Sequence, residues 1–138
     1  MPKFSIPYRV PYADTDQMGV VYYANFLTYF ERLRNEFLRE IKYPYVRLES
    51  QGVMLPVVEA HCDYKQPAKY DDLLKLTIRL SEIKGCRMRI EYEVFNEEDM
   101  LLCKGYTTHA FMCSANRRPT RPPEAFVKCI EKWRNPHG

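Results

Sequence analysis

Residues 22–41 read YYANFLTYFERLRNEFLREI, and the spacing of their apolar side chains decides the fold. Tyr23, Phe26, Leu27, Phe30, Leu33, Phe37, Leu38 and Ile41 recur mostly at steps of three and four. Asn25, Thr28, Glu31, Arg32, Asn35, Glu36, Arg39 and Glu40 take the other positions. That rhythm predicts a long amphipathic helix with one apolar stripe. At 1.5 Å per residue it spans about 30 Å, the width of a small domain. Tyr43-Pro44 ends it, because a residue before proline is pushed out of the helical region.

Working outward, the flanking sequence supplies a sheet for that stripe to cover. Phe4, Ile6, Tyr8, Val10 and Tyr12 alternate with Ser5, Pro7, Arg9 and Pro11, the period of a half-buried strand. Pro7 and Pro11 fall on one side of the alternation, which predicts an imperfect ladder or an exposed edge. After the helix, a first strand run covers Gly52 to about Pro67. Leu74, Leu76, Ile78 and Leu80 then alternate with polar residues, Lys84-Gly85 makes a turn, and Met88, Ile90, Tyr92 and Val94 alternate again. Asn96-Glu97-Glu98-Asp99 supplies the next turn, and a last strand runs from about Leu101 to Met112. The loop 116–123 leads into a short C-terminal helix with Phe126, Val127, Ile130 and Trp133 on one face.

The turns are too short for parallel crossovers, so the sheet is antiparallel. A chain of 138 residues and 16.5 kDa holds one core. The expected fold is therefore α+β, a single domain over residues 1–138. An antiparallel sheet of about five strands wraps one long helix, and a short C-terminal helix follows. The sheet's outer face and edges call for a homodimer or larger assembly.

Composition narrows the function. Hydrophobic residues make up 46% and charged residues 28%, too apolar for a disordered chain, and no stretch approaches a membrane span. The first residues lack an apolar leader, so the expected compartment is the cytoplasm. Cys62, Cys86, Cys103, Cys113 and Cys129 are odd in number and form no C-x-x-C pair, which reads as free thiols. With His61, His109 and His137 scattered, no zinc spacing appears, and no metal is expected. The net charge is +3, and the basic residues gather after Ala115, where six Lys or Arg meet two Glu. A basic tail on a near-neutral body is unlike a nucleic-acid face, but leaves room for a small polyanion.

Chemistry concentrates just before the helix, in Asp14-Thr15-Asp16-Gln17-Met18-Gly19-Val20-Val21-Tyr22-Tyr23-Ala24-Asn25-Phe26. Two carboxylates precede a helix start with no Ser, Thr, Asp or Asn directly before its first turn. The first N–H groups of such a helix lack internal partners, and the dipole adds positive charge there. That suits a carbonyl turning into an oxyanion, with a carboxylate to attack it or to activate water. The competing structural use of either aspartate is an Asx-turn or a helix cap.

The segment resembles the acyl-CoA thioesterases of the hot-dog fold, in the 4-hydroxybenzoyl-CoA thioesterase and YbgC-like group. Its signature is similar to D-x-D-x-x-G-[IV]-V-[YWF]-[HY]-x-N-[YF], met here by Asp14, Asp16, Gly19, Val20, Val21, Tyr22, Tyr23, Asn25 and Phe26. Phe30-Glu31, Arg34, Glu36 and Leu38 continue it, and Tyr64 to Leu73 adds a second family-like stretch. The resemblance implies metal-free, cofactor-free hydrolysis of acyl-CoA thioesters, coenzyme A being part of the substrate. It implies Asp16 as nucleophile or general base and the Tyr23 backbone N–H as donor to the thioester oxygen. Gly19, Val20 and Asn25 are implied at the substrate, and Lys84, Arg87, Arg117 and Arg118 near the CoA phosphates. Tyr23 stands where many relatives carry His, so imidazole assistance is absent. An acyl carrier protein is a possible carrier of the acyl group, and the assembly is a homodimer or homotetramer. The alternatives are a hot-dog dehydratase, which would call for a His near the helix, and a binding module without turnover.

Overall fold

The fold is that of a computed structural model, which describes residues 2–136; His137 lies outside the described residues. Strand β1 (Phe4–Arg9) is followed by a 3-10 turn at Tyr12–Asp14 and the long helix α1 (Asn25–Glu40). A short helix α2 (Tyr45–Ser50) and strand β2 (Val53–Met54) lead to β3 (Val57–Tyr64), β4 (Leu73–Lys84), β5 (Arg87–Phe95) and β6 (Leu101–Ala110). Strand β7 (Met112–Cys113) pairs with β2, and helix α3 (Glu124–Arg134) closes the chain. The main sheet has the order β1-β4-β5-β6-β3, antiparallel throughout.

The expected α+β architecture is present, with three local differences. Helix α1 begins at Asn25 rather than Tyr22. Pro44, which stops α1, also stands as the N-cap of the unforeseen α2, where its fixed φ suits a helix entry. The run from Gly52 to Pro67 splits into β2 and β3 around Leu55-Pro56, because Pro56 has no N–H to extend a ladder.

The α1 stripe and the inner sheet face form one core. Phe26, Tyr29, Phe30, Leu33, Phe37 and Leu38 are buried on α1, facing Leu74, Leu76, Ile78, Ile90, Tyr92 and Val94. Phe30 stacks flat on Tyr92 at 4.2 Å between ring centroids. Each such side chain contributes about 1.5–3 kcal/mol by leaving water. At the C-terminal end of α1, Trp133 of α3 meets Phe37 edge-on, while Phe126 packs on Tyr43 and Phe111.

A polar chain crosses this core. The His109 ring pairs its Nδ1 with the Leu55 carbonyl at 3.1 Å and its Nε2 with Thr107 Oγ1 at 2.9 Å. Burial, helped by the Arg34 charge, pushes the imidazole down to about 4. It is therefore neutral in the folded state near pH 7. Between about 4 and the ordinary value near 6.5, the unfolded chain binds a proton that the folded chain refuses. Stability should then fall as pH drops through that window, by on the order of 3 kcal/mol in total. Urea denaturation from pH 7 to 4.5 is expected to show this loss for the wild type and a flatter profile for His109→Gln. Parallel profiles would remove His109 as the cause.

Candidate active site

The loop before α1 folds as a tight hairpin. Asp16 N–H donates to the Val20 carbonyl at 2.9 Å, Gly19 N–H returns to the Asp16 carbonyl at 3.0 Å, and Thr15 bridges Val21. Gly19 has φ +79°, the left-handed residue that commonly closes such a hairpin. Two staples hold it. On one side Val21 N–H donates to the Ala68 carbonyl at 2.8 Å, and Val20 bridges Lys69. On the other, the Asp14 carbonyl accepts both Tyr22 N–H at 3.0 Å and Asn25 Nδ2 at 2.9 Å.

The two aspartates differ in use. Asp14 Oδ2 accepts the hydroxyls of Tyr8 at 2.9 Å and Tyr29 at 2.8 Å, a clamp between β1 and α1. Burial and the Asp14 carboxylate raise both phenols, so they remain donors. Asp16 is half-buried and makes no ion pair among the described residues. Its Oδ1 accepts Met18 N–H at 2.8 Å, the Asx-turn foreseen as a structural use, and Oδ2 has no protein donor among the described residues. The turn engages one oxygen and orients the other.

Beside this carboxylate stands the bare start of α1. Asn25, Phe26 and Leu27 N–H groups close the first turn onto Tyr22, Tyr23 and Ala24 carbonyls. The N–H groups of Tyr23 and Ala24 have no acceptor among the described residues, and no side chain caps the helix. Tyr64 at the end of β3 donates its hydroxyl to the Tyr23 carbonyl at 3.1 Å and sets its ring edge-on to Tyr23. It also tilts against Phe26. These aromatics line a shallow cleft of about 280 Å³ with Val21, Lys65, Gln66 and Pro67. The Cys103 thiol, chiefly, and the Tyr64 hydroxyl bring Cys62 down to about 7 on the same side of β3. Among the described residues no group of His, Cys, Asp and Glu converges to hold a metal ion.

Asp16, Gly19, Val20 and Tyr23 are thus brought together in one hairpin and helix start. Asn25 is near them, but its amide is engaged by the Asp14 carbonyl, which makes it a fastener of the loop. The four basic residues are not brought to Asp16 within one protomer. Leu73 begins β4 next to the Asp14 loop, through Val10 and Asp72, whereas Lys84 ends β4 opposite Arg87. Twelve strand residues separate the ends by roughly 36 Å of strand path. Arg117 and Arg118 join that far end, since both bond the backbone of Cys113, and Phe111, two residues before it, bonds Cys86. Tyr64 opens the second family-like stretch of the sequence but has no role assigned there; an aromatic ending a strand before Lys-Gln-Pro carries no mark of what it touches.

The site and fold have known counterparts. The thioesterase-like superfamily profile matches residues 10–130. An acyl-CoA thioesterase YbgC of Haemophilus influenzae is 41% identical over 99 residues, 71% of this chain and 73% of that protein. The crystal structure of a DHNA-CoA thioesterase from Staphylococcus aureus superposes with a TM-score of 0.91 at 26% identity, covering 97% of this chain and 92% of that one. A 1,4-dihydroxy-2-naphthoyl-CoA thioesterase from Synechocystis gives 0.87 at 27% identity over 94% and 96% of the two chains. With the helix wrapped by its sheet and the Asp16 hairpin at the helix start, this chain belongs to the thioesterase-like superfamily and carries its hot-dog fold.

Proposed function

We propose that this chain hydrolyses acyl-CoA thioesters to the free acid and coenzyme A. The observation that carries the reading is a carboxylate with one free oxygen on a stapled hairpin, next to two uncommitted helix N-terminal N–H groups. The thioester carbonyl oxygen docks on the Tyr23 N–H, where the helix dipole favours growing negative charge. Asp16 either removes a proton from the water that attacks the carbonyl carbon, or attacks that carbon itself to form a mixed anhydride that water then hydrolyses to the free acid and the regenerated carboxylate. The C–S bond breaks, and the thiolate leaves and takes up a proton. The relatives named for acyl-CoA hydrolysis support this reaction class.

The working unit is a homodimer built on β3. Of the two sheet edges, β1 is blunted by Pro7, whereas β3 has eight residues with no proline, and Val57 and Val58 are exposed. Such an edge is a template for another strand. Two-fold antiparallel pairing about its middle sets the Val57 end of one protomer beside the Tyr64 end of the other. It also carries the partner subunit's Arg87 and the partner subunit's Arg117 toward this site, where they can meet CoA phosphates as bidentate ligands. Five free cysteines support a cytoplasmic setting, and no helix among the described residues is long and apolar enough to cross a membrane. An acyl carrier protein can present the same thioester.

The test is thiol release from a panel running from short aliphatic to aromatic CoA esters, with the particle mass measured by sedimentation. Turnover by a dimer or a multiple of it is expected. Saturable binding across the panel with no thiol release would overturn the hydrolase in favour of a binding module.

A further inference from the structure

A second cavity, of about 580 Å³, opens between α1, α2 and the start of β3. Its lining is mixed: Phe37, Leu38, Leu55, Met88 and Ile90 form the apolar part, Glu31, Asn35 and Arg39 stand exposed on it, and Arg34 lines it half-buried from α1. Cavities of this size and lining hold small organic groups.

The Arg34 guanidinium is fixed by the polar chain that crosses the core, and each bond in that chain has one direction. His109 is neutral and gives its Nδ1 proton to the Leu55 carbonyl, so Nε2 is an acceptor. Thr107 must then donate to Nε2, and Tyr92, 2.6 Å from Thr107 Oγ1, must donate to Thr107. That leaves the Tyr92 oxygen to accept Arg34 Nη1, 3.1 Å away. Four of the five guanidinium donors remain. No carboxylate lies within 4 Å of Arg34 among the described residues. Arg39 at the rim is paired with Glu36, and Glu31 is exposed there. A guanidinium held in place beside the apolar part of this lining, with donors to spare and no carboxylate paired to it, suits an oxygen acceptor brought by a ligand.

We propose that Arg34 selects acyl groups whose far end carries a carboxylate or phenolic oxygen, and that the cavity holds the body of that acyl group. This rests on the thioesterase reading and on the paired β3 edges, which place the Val57 wall of this cavity beside the partner's Tyr64 cleft. Arg34 is the specificity residue; Tyr92, Thr107 and His109 are positioning residues that act through it. A site built to hydrogen-bond one group rejects the analogue lacking it far more strongly than an apolar pocket rejects a missing methylene.

The experiment compares matched esters on the full-length protein: glutaryl-CoA with pentanoyl-CoA, and 4-hydroxybenzoyl-CoA with benzoyl-CoA. The wild type is expected to favour the oxygen-ended member of at least one pair by about 10-fold or more in kcat/KM. The preferred pair tells carboxylate from phenol. Arg34→Met and Arg34→Gln are expected to erase the preference, chiefly by raising KM for the oxygen-ended ester. Thr107→Val, which cuts the relay and leaves Arg34 in place, is expected to reduce the preference without erasing it. Equal use of both members by the wild type, or an undiminished preference in a folded Arg34 variant, would overturn the proposal. Absence of thiol release from all four esters would count against the hydrolase reading alone. Calorimetric binding of the same four esters then decides on Arg34, with a preference lost in the variants supporting it and none in the wild type overturning it.

Discussion

Replacing Asp16 with Asn should leave a folded protein with thiol release reduced by about 10²- to 10⁴-fold, the range supplied by a positioned base. The substitution is chosen for what it keeps. The amide oxygen of Asn can still accept Met18 N–H at the Oδ1 position, so the Asx-turn and the hairpin stapled to Ala68 and Asp14 survive. What disappears is the negative charge at the free oxygen, without which neither attack on the carbonyl nor deprotonation of water proceeds. KM should change little, because the carbonyl still docks on the Tyr23 N–H. Asp14→Asn is the contrast, since that carboxylate is occupied by the Tyr8 and Tyr29 hydroxyls, and its loss should lower stability more than it lowers kcat. Steady-state thiol release and thermal unfolding on both variants separate the roles. Wild-type turnover by Asp16→Asn would remove Asp16 from the chemistry and leave only the fold.

How much of this was legible beforehand depends on whether the signal was local. The α1 stripe is a local pattern, and its phase named the residues that meet the sheet. Pro7 left β1 either an imperfect ladder or an edge, because a missing N–H has the same consequence wherever it stands, and β1 is an edge of the sheet. The bare helix start was readable too, from the absence of a capping side chain in Val20-Val21-Tyr22-Tyr23-Ala24, and no side chain caps the helix in the structure. Asp14 and Asp16 could not be separated on composition; only Tyr8 and Tyr29, brought from two elements, divide their duties. The resemblance points to Lys84, Arg87, Arg117 and Arg118 through their charge and their turns, which do not say at which end of a strand a turn falls. The length of β4 decides that, and it puts them away from Asp16 in the same chain. The relay from Leu55 through His109, Thr107 and Tyr92 to Arg34 joins the loop before β3 to β6, β5 and α1 and leaves no periodic trace, so sequence spacing could not reveal it.

The largest stability effect is expected at Gly105, a residue with no role in the chemistry. It sits on the inner face of β6 opposite Cys62 of β3, where α1 presses Phe30 against the sheet. A Cβ at this position would lie 2.2 Å from the His61 carbonyl oxygen and 2.9 Å from the Phe30 ring. The ring could turn, but only by giving up its flat contact with Tyr92 at the centre of the core. The His61 oxygen cannot retreat without moving β3, the strand that carries Tyr64 to the Tyr23 carbonyl. One added methyl group therefore strains the core and shifts the site together. Gly105→Ala should cost about 1–3 kcal/mol or more, the range for overpacking against a rigid neighbour, and Gly105→Val should prevent folding at ordinary temperatures. Because the displaced strand is also the proposed dimer edge, the surviving Ala variant should dissociate at higher protein concentration than the wild type, which sedimentation can follow alongside urea denaturation. An Ala variant as stable as the wild type would mean that β3 lies farther from β6 at this point, and that the edge strand is not held by the close approach described here.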